Sequence, residues 1–132
     1  AQDGPIVYFS DISFTGSGEG VGVSASCRLQ ADNCRFSNWK TGLLGYGSAW
    51  ISAINSHFDG NEVGFHFNSE GKYVTHATYS DNTFINNGTG VLLERVPTDV
   101  TISFPGSYFQ GNGTDIDNRC SQPLDISQAI IK

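Results

Sequence analysis

Five phenylalanines along the chain, Phe14, Phe36, Phe58, Phe84 and Phe109, are each followed seven residues later by an apolar residue: Val21, Leu43, Phe65, Val91 and Ile116. The position just before that second slot is glycine in four copies, Gly20, Gly42, Gly64 and Gly90, and Asp115 in the fifth. Turn formers fill the gap, as in Gly60-Asn61, Asn86-Asn87 and Gly111-Asn112. Seven before each Phe stand Val7, Leu29, Ile51, Ala77 and Ile102, and five before stand Phe9, Ala31, Ala53, Tyr79 and Phe104. A two-residue alternation of this kind marks a strand with one buried face. Each copy therefore predicts three short strands: one ahead of the Phe, one around it, and one from seven residues after it. Cys34, Ser56, Asn82 and Ser107, two before the Phe, are small or polar residues suited to a tight bend.

The Phe slots lie 22, 22, 26 and 25 residues apart, and a sixth falls at Ile131, preceded by Leu124, Ile126 and Ala129 in the matching places. Three strands joined by turns in this length form one coil of a solenoid, stacking on the next at about 4.8 Å. Phe84, Val91 and Leu93 are then core, and Asn86, Asn87, Gly88 and Gly90 are turn residues able to adopt left-handed backbone. The copies "DNTFINNGTGVLLE", "NSHFDGNEVGFHF" and "CRFSNWKTGLL" resemble the right-handed parallel β-helix superfamily, the pectate-lyase-like group. The fold expected is all-β: a right-handed parallel β-helix of about five to six rungs, 22 to 26 residues each, with three short strands per rung.

That resemblance implies a secreted, cell-surface or virion-surface protein that meets polysaccharide. It carries no catalytic role over, because no polygalacturonase-like paired-Asp or Gly-His-Gly motif and no clear pectate-lyase calcium cluster stands in this sequence. No cofactor is expected, calcium being chemically allowed but without a clear site.

Composition narrows the classes further. The 132 residues contain 16 glycines and only 15% charged side chains, which suits one turn-rich domain over residues 1–132. A net charge of −6 argues against nonspecific nucleic-acid binding, and no apolar run is long enough for a bilayer-spanning helix. The last rung stops one residue after its Phe slot, and bare rungs expose strand edges. The expectation is a fragment of a longer chain, its ends covered by a flanking domain or an oligomeric partner. Cys27, Cys34 and Cys120 allow one disulfide at most, with Cys27–Cys34 the nearest pair, and their spacing does not match a zinc site. The sequons at Asn87 and Asn112 fall in the same turn of their rungs, where turn chemistry alone accounts for them.

Candidate chemistry comes from outward positions that the register makes neighbours. Arg35 and His57 fall side by side one before the Phe, and Asp59 shares a face with His57. A base, a cation and a carboxylate together suit proton abstraction beside a uronate carboxylate; a surface ion-pair patch is the other reading. A second face carries His66 and Asp117 eight after the Phe and Tyr46, Asn68, Glu94 and Arg119 ten after it. Glu94 and Asp117 are near enough in register to suggest paired carboxylates for glycoside hydrolysis, ordinary surface carboxylates on neighbouring rungs being the other reading. The longer rungs place their extra residues after the third strand, in "NSEGKYVTH" and "ERVPTDVT", adding Lys72, Tyr73, His76, Arg95 and Asp99 to a binding rim. Trp39 and Trp50 are aromatic candidates for stacking on a sugar. Three functions follow: a non-catalytic glycan-contacting segment, a polysaccharide lyase or glycoside hydrolase on an acidic glycan, and an oligomerisation module.

Overall fold

The computed structural model describes residues 6–69, 79–96 and 101–132. Three parallel sheets run along a solenoid of about five turns. The first sheet holds β1 (Ile6–Ser10), β4 (Arg28–Asp32) and β7 (Trp50–Ile54), and β12 (Ile102–Ser103) pairs with β15 (Leu124–Asp125). The second is six strands of two or three residues: β2 (Ser13–Thr15), β5 (Arg35–Ser37), β8 (His57–Asp59), β10 (Thr83–Ile85), β13 (Tyr108–Gln110) and β16 (Ile130–Ile131). The third holds β3 (Val21–Ala25), β6 (Thr41–Gly47), β9 (Val63–Ser69), β11 (Thr89–Arg95) and β14 (Thr114–Asn118). Each pairing joins a strand to its counterpart one coil away.

The predicted Phe column is a continuous stack. Phe14, Phe36, Phe58, Phe84 and Phe109 follow one another at 5.2, 5.0, 4.9 and 4.8 Å, with rings within 12° of parallel. The rings repeat at the strand spacing because their strands pair in register, Phe to Phe. Ile131 pairs with Phe109 as its slot predicts.

Left-handed residues bound the short second-sheet strands. Asp11, Asn33, Asn55, Asp81 and Gly106, three before each Phe, have φ between 52° and 70°. Asn38, Gly60, Asn86 and Gly111, two after it, have φ between 57° and 71°. The bend therefore sits one residue earlier than the small slot, and that slot has a different task. Cys34 N donates to Ser56 Oγ, Ser56 N to Asn82 Oδ1 and Asn82 N to Ser107 Oγ, at 2.9–3.2 Å. These buried side chains tie one coil to the next.

A second ladder corrects the reading of Asn87, Gly88 and Gly90 as left-handed turn residues; of that group only Asn86 has positive φ. Trp39 N donates to Asn61 Oδ1, Asn61 N to Asn87 Oδ1 and Asn87 N to Asn112 Oδ1. The amide nitrogens of Asn61, Asn87 and Asn112 donate to Phe36, Phe58 and Phe84 carbonyls, each at 2.9 Å. Trp39 fills the same place one coil earlier, its indole Nε1 donating to Phe14 O at 2.9 Å. Gly88 and Gly90 are glycine because coils approach closely: a Cβ would lie 2.7 Å from Glu62 O and 2.6 Å from Asp115 O respectively. Both sequon asparagines are rungs of this ladder, Asn87 being only 3% exposed.

One further correction concerns the first coil. Val23, not Val21, pairs with Leu43, because the loop between β2 and β3 is two residues longer than its counterpart between β5 and β6. Gly22 accordingly takes the slot assigned to Gly20, its absent Cβ lying 2.7 Å from Gly42 O. The three thiols are free; Cys34 is fully buried, as its slot requires, and Cys27 is not bridged to it. Among the described residues, eight of the nine exposed large apolar ones lie in the first and last coils: Ile6, Val7, Tyr8, Ile12, Val21, Ile126, Ile130 and Ile131.

Candidate functional site

The second-sheet face brings Arg35, His57 and Asp59 together as the register predicts: Arg35 pairs with His57, and Ser37 with Asp59. Arg35 Nη1 lies 3.3 Å from Asp59 Oδ1, an ionic contact without hydrogen-bond alignment. His57 Nδ1 sits 2.6 Å from Thr83 Oγ1 on the next coil. Partial burial holds the His57 pKa below the usual histidine value, the Arg35 charge adds to that, and Asp59 opposes it. A neutral imidazole is a competent base, but the neighbouring cation is already engaged by Asp59. The strands here are three residues long.

A concavity lies at the corner where the third sheet hands the chain to the first. A groove of about 430 Å³ is lined by Ser69, Glu94, Arg95, Val96, Arg119, Cys120, Ser121 and Gln122. Glu94 and Arg119, expected in a binding groove, line it; His66, Asn68 and Asp117 support it from behind. Glu94 Oε1 is 2.8 Å from His66 Nε2. Asn68 Oδ1 accepts from Arg95 Nε at 2.6 Å, and Asp117 Oδ2 accepts from Arg119 Nε at 3.0 Å. Each carboxylate of the expected Glu94–Asp117 pair thus has its own cationic or imidazole partner. Lys72, Tyr73, His76 and Asp99 lie outside the described residues.

A β-bulge builds the rim. The register between β9 and β11 slips between Leu93 and Arg95, so that Arg95, not Glu94, stands opposite Asn68. An extra residue in one strand re-aims side chains, and here two consecutive charged residues, Glu94 and Arg95, reach the groove. The far wall is tied down by Leu93 O, which accepts from both Arg119 N (2.8 Å) and Cys120 N (3.1 Å). Ser69, Val96 and Cys120–Gln122 escaped the sequence reading. Their one signal is that they break the repeat at the same corner as the inserted residues.

The Trp candidates are both occupied. Trp39 packs over Gly16 and Gly22 while its indole serves the ladder, and Trp50 carries the Arg28 guanidinium 5.7 Å from its ring centroid. Among the described residues no group of three or more His, Cys, Asp or Glu side chains converges as a metal site. No described helix is long and apolar enough to cross a membrane.

Residues 1–128 match the family described as right handed beta helix region. The chain belongs to that family. Membership fixes the architecture; function is a property of sites that a shared fold does not specify. No curated protein and no solved structure matched the chain.

Proposed function

We propose that this β-helix is a non-catalytic segment of a secreted, cell-surface or virion-surface polysaccharide-binding or polysaccharide-processing protein, with the corner groove as its glycan contact. The observation that carries the reading is the groove itself, which sets two guanidiniums, a carboxylate, hydroxyls and an amide on a rigid scaffold. Donors and acceptors in that mixture suit a ligand covered in hydroxyls. The non-catalytic part rests on the pairing: Glu94 with His66, Asp117 with Arg119, Arg35 with Asp59 and His57 with Thr83 leave each candidate acid or base tied to a neighbour.

The test is a glycan panel screened for binding and for product release together, on wild type, Arg119→Ala, Glu94→Gln and His57→Ala. Binding weakened by Arg119→Ala or Glu94→Gln, with no unsaturated uronide or new reducing end, supports the reading. Product release lost in Glu94→Gln or His57→Ala replaces it with a lyase or hydrolase. A third reading draws on the eight apolar residues exposed in the end coils: those coils meet a flanking domain or a second copy. Sedimentation as a single-copy species at high concentration removes the second copy.

A further inference from the structure

Among the described residues, Tyr46 is the one exposed large apolar residue outside the first and last coils, with 46% of its surface open. The end-coil residues are exposed because no coil stacks on them. Tyr46 has no such reason, since its strand β6 is paired on one side with β3 and on the other with β9.

Its place on the solenoid is specific. Tyr46 is in register with Asn68, and Asn68 with Arg95, so the three form a column parallel to the solenoid axis. Arg95 and Asn68 are joined at 2.6 Å, and Arg119 on the next coil completes the groove. Three strand spacings separate the Tyr46 coil from the Arg119 coil, about 14 Å. Across the tight turn closed by Ala49 N donating to Tyr46 O at 3.1 Å, Trp50 already holds Arg28 over its ring. Among the described residues, Tyr46 is therefore the aromatic surface at this corner left open to a ligand.

Resting on the glycan reading above, we infer that Tyr46 is the far subsite of an extended site, and that the ligand is an oligosaccharide lying along the solenoid axis. One sugar ring packs its C–H face on Tyr46, the next units pass Asn68 and Arg95, and the far end enters the groove at Arg119. Aromatic side chains suit this role because they offer a large, rigid apolar face with a polar tip at low entropic cost. A monosaccharide reaches one end of the column, whereas a chain spanning it engages both, and linked contacts strengthen one another.

The experiment is calorimetric titration of wild type, Tyr46→Ala and Tyr46→Phe with alginate and cello-oligosaccharides, each from monomer to hexamer, after thermal melts confirm that both variants fold. The expected result is affinity that climbs with length until the column is spanned. Tyr46→Ala then loses about tenfold for the long oligomers and nothing for the monomer, while Tyr46→Phe keeps wild-type affinity. Length-independent binding unaffected by Tyr46→Ala overturns the extended site and leaves the groove standing. No binding by any probe overturns the groove reading and this one together. A dimer that Tyr46→Ala dissolves would instead assign Tyr46 to contact between copies.

Discussion

The turn between the second and third sheets and the corner between the third and first sheets belong to the same coils, yet they are built on opposite principles. At the turn three successive coils repeat the same device: Asn61, Asn87 and Asn112 each accept from the backbone of the coil before and donate to a Phe carbonyl. At the corner hardly any residue repeats. Tyr46, Asn68 and Arg95 share one column, a bulge interrupts β11, and Cys120–Gln122 line the groove. Repetition along a solenoid identifies what stacking requires, and its breakdown identifies the surface free to be specific.

Substitutions at the two places are expected to separate stability from binding. Phe84→Ala empties a fully buried position between two stacked rings and is expected to cost about 3 to 5 kcal/mol in a urea melt; a cost below 1 kcal/mol would remove the Phe stack as the backbone of the core. Asn87→Ala leaves the buried Asn61 N–H and the Phe58 carbonyl without their partners, at about 2 to 4 kcal/mol. A neutral Asn87→Ala melt would erase the contrast between turn and corner. Arg119→Ala at the corner removes an exposed ion pair and is expected to change stability by less than about 1 kcal/mol while weakening glycan binding.

The smallest expected effect concerns pH on the second-sheet face. The His57 pKa is lower folded than unfolded, so below its ordinary value the unfolded chain binds more protons and stability rises with pH across that window. The contribution is present above the ordinary histidine value and is lost as pH falls through the folded one. His57→Gln is expected to flatten that part of the stability curve in melts compared at pH about 5 and about 7.5; an unchanged curve would show that His57 is not held neutral by its setting.

Much of the architecture was legible in the chain. The Phe and apolar slots gave the strands and nearly all of the register, and the juxtaposition of Arg35, His57 and Asp59 followed from counting. Counting failed where the backbone departs from the repeat. The two extra residues between β2 and β3 shifted Val23 into the slot assigned to Val21, and the bulge at Leu93–Arg95 put Arg95 where Glu94 was expected. The ladder asparagines were read as turn residues because composition does not reveal where a side-chain amide points. Tyr46 was placed on the right column but had no visible distinction there, since exposure depends on what packs beside it.

The sequence alone determined that the chain would coil, at what period, and which side chains would stack, because an in-register solenoid brings equivalent positions together and pattern therefore becomes contact. Only the tertiary structure decided which asparagines carry the ladder, which glycines answer to a neighbouring carbonyl and where the corner opens into a groove. Those outcomes depend on distances between chain segments that no repeat encodes, and the groove arises at the corner where the repeat gives way.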